Sequence, residues 1–432
     1  MLNYLSTIVK FLRSSYRSVW HSIAFYPALI GLAYVILAII ALKIDSSGLA
    51  DTIKERTPYL FIQDYETIRA ILSTFIGGVI SLTVFSFSMV MVVLSQASSD
   101  FSPRLLPSLV SNKRHQIILG IYVGTLLYCT LILLSLGAYG SDAEGLGLSA
   151  MLATVMAVFC IGLFIYFINS ISKAIQIHNI IDDIHSRCDH YLEKLDRSDK
   201  GNEIGLSHIS TENWHDIMIE TGGYYRGFDR RLIMGSIREE VQQIQIVPYL
   251  NQHIWDREAV IRTKEKLTEE QKKNLLMCME ISHDRHEEDK GIGGMIKLME
   301  IAVKAMSPGI NDPGTAIDAV IKLGRLLAKF LRFPSMISDT VGEEGLVLIE
   351  SNTPADELIR ILIQPIRFYA KHDSMVMFEL IKALQHATKT PGISNENRRM
   401  LSDELEALRY DLDKHIENPV DKKKILGLLD EG

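Results

Sequence analysis

Hydrophobic positions dominate the first 172 residues of this chain, where four apolar segments follow one another. Each segment approaches or exceeds the roughly 20 residues that an α-helix needs to cross the hydrocarbon core of a bilayer. The segments are residues 23–42, 68–94, 117–136 and 151–171. The pattern therefore predicts a transmembrane domain of four helices over residues 23–172, in contact with the lipid bilayer.

The flanking regions have different patterns. Residues 1–22 place apolar side chains at helical spacing with basic residues off that line, which predicts an amphipathic helix on the inner leaflet or one packed on the rest of the protein. Residues 173–200 continue an apolar seam at about 3.5-residue spacing, which predicts a stalk helix. Residues 201–432 are predicted to form a cytosolic domain, rich in α-helix, with a small β insert at about 214–263. The expected fold class is mainly α, with an α+β cytosolic domain.

Charge in the short loops predicts the orientation. Basic residues precede the first span and lie between the second and third, whereas the loop after the third carries Asp142 and Glu144 with no Lys or Arg. Because basic loops stay in the cytoplasm, both termini are expected there, with the protein in the bacterial inner membrane.

Composition agrees with a chain that is partly membrane and partly soluble, since 47% of its 432 residues are hydrophobic and 22% are charged. A net charge of −7 argues against nucleic acid as a partner. The four cysteines form no CxxC pair, so neither a disulfide framework nor a zinc ribbon is predicted.

The second span carries the most regular polar pattern of the membrane region. Hydroxyl residues recur at every seventh position, and a second series fills the half-heptads between them. The candidate pore-lining positions are Thr74, Gly78, Ser81, Phe85, Ser88, Val92 and Ser95. Copies of this stripe around a symmetry axis would line a path for ions or small solutes, with Phe85 as a hydrophobic constriction. Asp100 and Arg104 are the candidate residues of the inner mouth.

Helix packing alone predicts the same periodicity, because small and hydroxyl side chains also gather at contacts between helices in lipid. The two interpretations differ in whether the stripe faces a water-filled axis or a neighbouring helix of the same subunit. The spans hold no Asp, Glu, Lys or Arg in their central parts, which argues against a proton-coupled transporter.

The soluble region has one well-defined local motif, "KAMSPGINDPGTAIDAV". It predicts a helix that ends near Met306, a turn, Asp312 as N-cap and Pro313 in the first turn of the next helix. Ser307, Asn311, Asp312 and Thr315 are candidate residues of a ligand site or a subunit contact, and the structural interpretation is a helix–turn–helix corner.

Three stretches of this chain resemble a known family. Ala305 to Ala316 is similar to its motif "ALSPGINDP-TA", with Met306 and Gly314 as departures. "VFSFSMVMVVLSQASSDFSPRLL" resembles its second span. "EEDKGIGGMIKLMEIAVKAMSPG" resembles a further motif of the family, which Glu287, Asp289 and Gly293 match and from which Lys290 and Ile292 depart. The chain is identified as a member of the uncharacterised, predicted bacterial membrane proteins of domain of unknown function 2254 on these residues. The resemblance implies the architecture and leaves the mechanism open.

No motif predicts catalysis, a metal or a cofactor. His178, Asp182 and His185 share a helical face, and His283 and His286 lie close together, but neither set has the HExxH arrangement of a zinc enzyme. No nucleophile elbow or paired-carboxylate signature is present, so a non-enzyme is expected.

The sequence therefore favours a homo-oligomeric channel for ions or small solutes with a cytosolic regulatory domain. The alternative is a non-conducting membrane scaffold or sensor whose cytosolic domain binds a ligand or partner. A membrane-embedded enzyme acting on lipid is a weaker third hypothesis.

Overall fold

The computed structural model describes residues 25–46, 64–100, 113–139, 147–174, 176–198, 204–206, 210–211, 213–283, 291–341 and 345–430. The predicted interfacial helix at residues 1–22 and the candidate mouth residue Arg104 lie outside these ranges. The chain divides into two compact units, Met1–Gln176 and Ile177–Gly432.

Four long helices make up the described part of the first unit. They are α1 (Phe25–Asp45), α2 (Tyr65–Asp100), α3 (Lys113–Tyr139) and α4 (Gly147–Ala174). Each is long and apolar enough to cross a membrane. The predicted domain of four apolar helices is thereby confirmed, and all four helices extend beyond the predicted C-terminal ends of the spans.

The core of the first unit lies around α3, which packs against the other three helices. Tyr128, Ile132 and Leu136 of α3 are fully buried. Glycine allows a close approach to α1, because a Cβ atom on Gly124 would lie 2.7 Å from the ring of Tyr34. Each of the surrounding helices therefore buries one face in this core, and its other faces are exposed.

The second unit contains both helices and strands, and it ends in a run of helices. Its α-helices are α5 (Ile177–Ser198), α6 (Gly235–Glu240), α7 (Glu269–Cys278), α8 (Gly291–Ala305), α9 (Pro313–Phe330), α10 (Ala355–Leu358), α11 (Gln364–Ala370), α12 (Ser374–Lys389), α13 (Asn395–His415) and α14 (Pro419–Asp430). A π-helical segment (Ile359–Ile363) joins α10 to α11, and a short 3-10 helix spans Arg230–Leu232. Its strands are β1 (Ile204–Leu206), β2 (His215–Met218), β3 (Gly223–Phe228), β4 (Gln243–Ile246), β5 (His253–Ile254), β6 (Ala259–Thr263), β7 (Met279–Ser282), β8 (Met336–Val341) and β9 (Leu346–Ser351).

The strands form two sheets. The larger has the order β1-β8-β9-β4-β6-β2, antiparallel throughout except for the β9–β4 pair, which is parallel. The smaller is antiparallel, in the order β5-β3-β7. Strands thus also lie outside the predicted insert. β9 pairs with β4 and β8 pairs with β9, although the helices α7, α8 and α9 come between β4 and these two strands in the chain.

The predicted stalk corresponds to α5, and α4 ends at Ala174 before α5 begins at Ile177. Its seam residues Ile181, Ile184 and Cys188 are buried, and α5 packs against α8 and α9 of the second unit. The seam that the sequence shows is therefore the core-facing side of a helix in that unit.

Candidate functional site

The hydroxyl stripe of α2 is exposed along its whole length in the single chain. All seven candidate pore-lining positions are exposed: Thr74, Gly78, Ser81, Phe85, Ser88, Val92 and Ser95. The core-facing side of α2 has its own seven-residue spacing and consists of Leu72, Val79, Ser86 and Val93, all of them buried. The side of α2 that is buried within the chain is therefore different from the side that carries the stripe.

A third side of α2 is exposed and apolar, with Ile80, Val84, Phe87 and Met91 at helical spacing. Side chains of this kind suit contact with lipid. α2 thus has two exposed sides that differ in chemistry, one apolar and the other rich in hydroxyl groups.

Two hydroxyl groups of the stripe are hydrogen-bonded to their own helix. Thr74 Oγ1 donates to the carbonyl of Ala70 over 2.8 Å, and Ser81 Oγ donates to that of Gly77 over 2.9 Å. Each bond satisfies the donor and leaves the oxygen lone pairs available at the surface. Beside them, a Cβ atom on Gly78 would meet nothing within 4 Å, so this face is open.

Phe85 lies at the edge of the stripe and contacts α4. Its ring and that of Phe164 pack edge to face, with their centroids 5.6 Å apart. The side chain is still 50% exposed, so the rest of the ring lies at the surface of the chain. Asp100 is the last residue of α2.

The helix–turn–helix corner uses its polar groups internally. Asp312 accepts hydrogen bonds from the backbone N–H of Thr315 over 3.2 Å and from its hydroxyl over 2.6 Å. Ser307 Oγ donates to the carbonyl of Lys304, and Asn311 adopts a left-handed φ of 49°. Because Asp312 occupies donors that a ligand would need, the geometry favours a structural corner.

The histidine pair on α5 belongs to an ion-pair cluster. His178 lies 2.9 Å from Asp318 through Nδ1 and 3.2 Å from Asp182 through Nε2, and Lys322 lies 2.7 Å from Asp182. The ammonium of Lys322, aided by the neighbouring histidines, lowers the pKa of Asp182. Burial lowers the pKa of His185.

The second pair of histidines in the sequence forms no metal site in the described part of the chain. His283 is exposed, and His286 lies outside the described residues. No His, Cys, Asp and Glu side chains of the described residues are grouped to hold a metal ion.

A cavity of about 380 Å³ in the second unit was not predicted from the sequence. Aromatic side chains from three separate elements line it, namely Tyr191 of α5, Tyr225 of β3 and Phe330 at the end of α9. Glu350, near the end of β9, is among its lining residues. Tyr191 lies in the predicted stalk at residues 173–200, but no pattern in the sequence indicates that it meets Tyr225, Phe330 and Glu350.

Glu350 belongs to a charged triad beside the cavity. Arg230 donates through Nη2 to Glu350 Oε2 over 2.5 Å and through Nη1 to Asp339. Burial, reinforced by the Glu350 carboxylate and opposed by Arg230, raises the pKa of Tyr225. Tyr225 therefore presents a neutral hydroxyl, which can donate or accept a hydrogen bond.

The four apolar helices of the first unit define a membrane protein, and comparison with known proteins gives its family. The chain belongs to the family described as "Predicted membrane protein (DUF2254)", whose model matches residues 20–386. Uncharacterized proteins of Mycobacterium tuberculosis and Mycobacterium bovis are 26% identical over 267 residues, which cover 59% of this chain and 49% of theirs. The chain thus spans about half the length of these curated relatives. No solved structure matches it.

Proposed function

We propose that this protein is a homo-oligomer of the bacterial inner membrane that forms a path for ions or small solutes. In this proposal the chain crosses the membrane four times, both termini are cytoplasmic, and the second unit regulates the path. The observation that carries it is the exposure of the complete hydroxyl stripe of α2 within the subunit.

Comparison with the other helices supports a role for this stripe other than contact with lipid. Large apolar side chains predominate on the exposed faces of α1 and α4, for example Ile36 and Ile39 on α1 and Val158 and Ile165 on α4. α2 already has an apolar exposed side of its own. Hydroxyl groups in a bilayer are more favourable at a helix contact or along water than in hydrocarbon, so the stripe suits an axis shared between subunits.

Several copies of α2 around such an axis would place rings of hydroxyl oxygen atoms along a path. Oxygen lone pairs at Thr74 and Ser81 could replace part of the hydration of a passing solute. Phe85, anchored on Phe164, would narrow the path with an apolar ring. Asp100 and Arg104 would lie at the inner mouth.

Conductance of the purified protein in planar bilayers tests this proposal. Phe85→Ala is expected to increase the current, because it removes the apolar constriction. Phe87→Ala is the matched control, since Phe87 is similarly exposed but belongs to the apolar side of α2.

Chemical modification gives a second readout. Ser88→Cys is expected to make the current sensitive to a thiol-reactive blocker, and Met91→Cys on the apolar side is the control. All four native cysteines are buried, which keeps background labelling low. A folded, oligomeric protein with no current in wild type or Phe85→Ala would refute the channel.

The second candidate is a non-conducting membrane scaffold or sensor. It is supported by the aromatic cavity of the second unit, which has the size and lining of a small-molecule site. Under this alternative the stripe of α2 would hold subunits together without a water-filled path.

A further inference from the structure

The cavity of the second unit combines aromatic walls with one carboxylate. Small-molecule sites in proteins commonly have volumes of 300–1,000 Å³ and mostly apolar linings with a few polar groups. The volume of about 380 Å³ lies within this range, and Tyr191, Tyr225, Phe330 and Phe333 contribute aromatic side chains. Such a site accepts a ligand with a compact apolar or aromatic body.

The charged residues in and beside the cavity indicate which charge a ligand should carry. Among the described residues that line the cavity, Glu350 is the only charged one. The adjoining triad holds one positive group, Arg230, and two negative groups, Asp339 and Glu350, so it carries a net negative charge. Phosphorylated or carboxylate ligands would meet no cationic lining group among these residues.

Glu350 retains binding capacity in spite of its ion pair. Arg230 bonds to Oε2, and a carboxylate has further lone pairs on both oxygens. The side chain of Glu350 is 35% exposed, so it has not been withdrawn into the core. A cationic group of a ligand can therefore share the carboxylate with Arg230.

We propose that this cavity binds a small organic cation, an amine or quaternary ammonium with an apolar body. Glu350 would neutralise the cationic group, and the aromatic side chains would attract it through their ring faces, an arrangement that recurs in sites for ammonium ligands. The inference rests on the second candidate function, ligand binding by the second unit, and is independent of conduction. It names the class of ligand that this unit would sense.

Three probes of similar size and different charge test the class. They are phenethylamine, 2-phenylethanol and phenylacetate, which are cationic, neutral and anionic near neutral pH. Binding to the full-length protein in detergent is measured by ligand-observed NMR titration. We expect phenethylamine to bind about tenfold more tightly than 2-phenylethanol, a difference of roughly 1.4 kcal/mol. Phenylacetate is expected to bind most weakly.

Two matched variants assign the selectivity to Glu350. Glu350→Gln removes the carboxylate that lines the cavity, whereas Asp339→Asn removes the other carboxylate bound to Arg230. We expect Glu350→Gln to abolish the preference for phenethylamine over 2-phenylethanol. Asp339→Asn is expected to retain it, and thermal unfolding of both variants monitors the fold.

The outcomes separate the claims. Equal binding of all three probes to wild type would overturn the cation class while retaining a ligand site, and no binding of any probe would overturn both. Preference for phenylacetate would also overturn the proposal, as would a preference that survives Glu350→Gln. Absence of conductance leaves this inference intact.

Discussion

The carboxylate of Asp45 accepts a hydrogen bond of 3.0 Å from the backbone N–H of Ser149, although 104 positions separate the two residues. It also accepts from the N–H of Leu148 over 3.2 Å and from the Ser149 hydroxyl. The last residue of α1 thereby satisfies free donors in the first turn of α4, where a negative charge is also favourable. Tyr128 donates to the Ser149 carbonyl over 3.1 Å, which adds α3 to the same contact.

Removal of this cap should weaken the first unit. We expect Asp45→Ala to lower the free energy of unfolding by about 1–2 kcal/mol, because the N–H groups of α4 lose their acceptor. Asp45→Asn should lower it less, since its amide oxygen can still accept. Thermal unfolding of the full chain in detergent measures both. Equal stability of wild type and Asp45→Ala would contradict the role of Asp45 as a cap.

Gly78 provides a test of the proposed contact between subunits, because a substitution there should leave the fold intact. A larger residue at this open position should be tolerated by the monomer, because a Cβ atom there meets nothing within 4 Å. If α2 meets its copies along the stripe, Gly78→Leu should reduce the oligomer, as measured by native mass spectrometry. Val84→Leu on the apolar side is the control, and an unchanged oligomer in Gly78→Leu would argue against contact at this level.

Gly324 marks a close contact between α9 and α12. A Cβ atom at this position would lie 2.6 Å from the Cβ of Ala383. Gly324→Ala should therefore destabilise the second unit by about 1–3 kcal/mol through overpacking. Ala383→Gly in the same chain should restore part of the loss, and a double-mutant cycle from denaturation measures the coupling. Additive effects would show that the two positions do not share the contact.

Glu404 should give the second unit a pH-dependent stability. Burial raises the pKa of Glu404, and Arg367, at 2.9 Å, opposes the shift only in part. A carboxyl with a raised pKa in the folded state contributes stability below its unfolded pKa and loses it as pH rises through the folded pKa. Wild type therefore loses this stability as pH rises from the unfolded pKa of Glu404 to its folded pKa. Over this pH range the free energy of unfolding of Glu404→Gln should rise relative to that of wild type, and above it the difference should level off.

Hydrogen exchange of α13 in the full-length protein checks this dependence. Glu406→Gln is the control, because Glu406 lies on the same helix with its side chain 74% exposed. A relative stability of Glu404→Gln that does not change with pH would contradict the prediction.

The corner after α8 can be tested through its turn. Asp312→Ala should lower the free energy of unfolding by about 1 kcal/mol, because α9 loses its N-cap. Asn311→Gly should be tolerated and Asn311→Val should destabilise, since a β-branched residue disfavours the left-handed φ of 49°. Denaturation of the full chain compares the three, and a neutral Asp312→Ala would contradict the structural role.

Features that depend on local pattern were predictable from the sequence. Four apolar segments of sufficient length predicted α1 to α4, and Asp312 and Pro313 predicted the start of α9, because the length of an apolar run and the capping of a helix are encoded by neighbouring residues. The periodicity of α2 was equally visible, but two interpretations fitted it. Periodicity shows that residues share a side of a helix and does not show what that side contacts.

The remaining features depend on how the elements pack in three dimensions. Only packing of α2 against α3 and α4 selected the side with Leu72 and Val79 for the core and left the stripe with Ser81 and Ser88 exposed. Likewise, the cavity of the second unit brings Tyr191 together with Glu350. In the first unit, the cap on α4 brings Asp45 together with Ser149, and more than a hundred positions separate the residues of each pair. No local pattern encodes such contacts, because they arise from the spatial arrangement of whole elements around a common core.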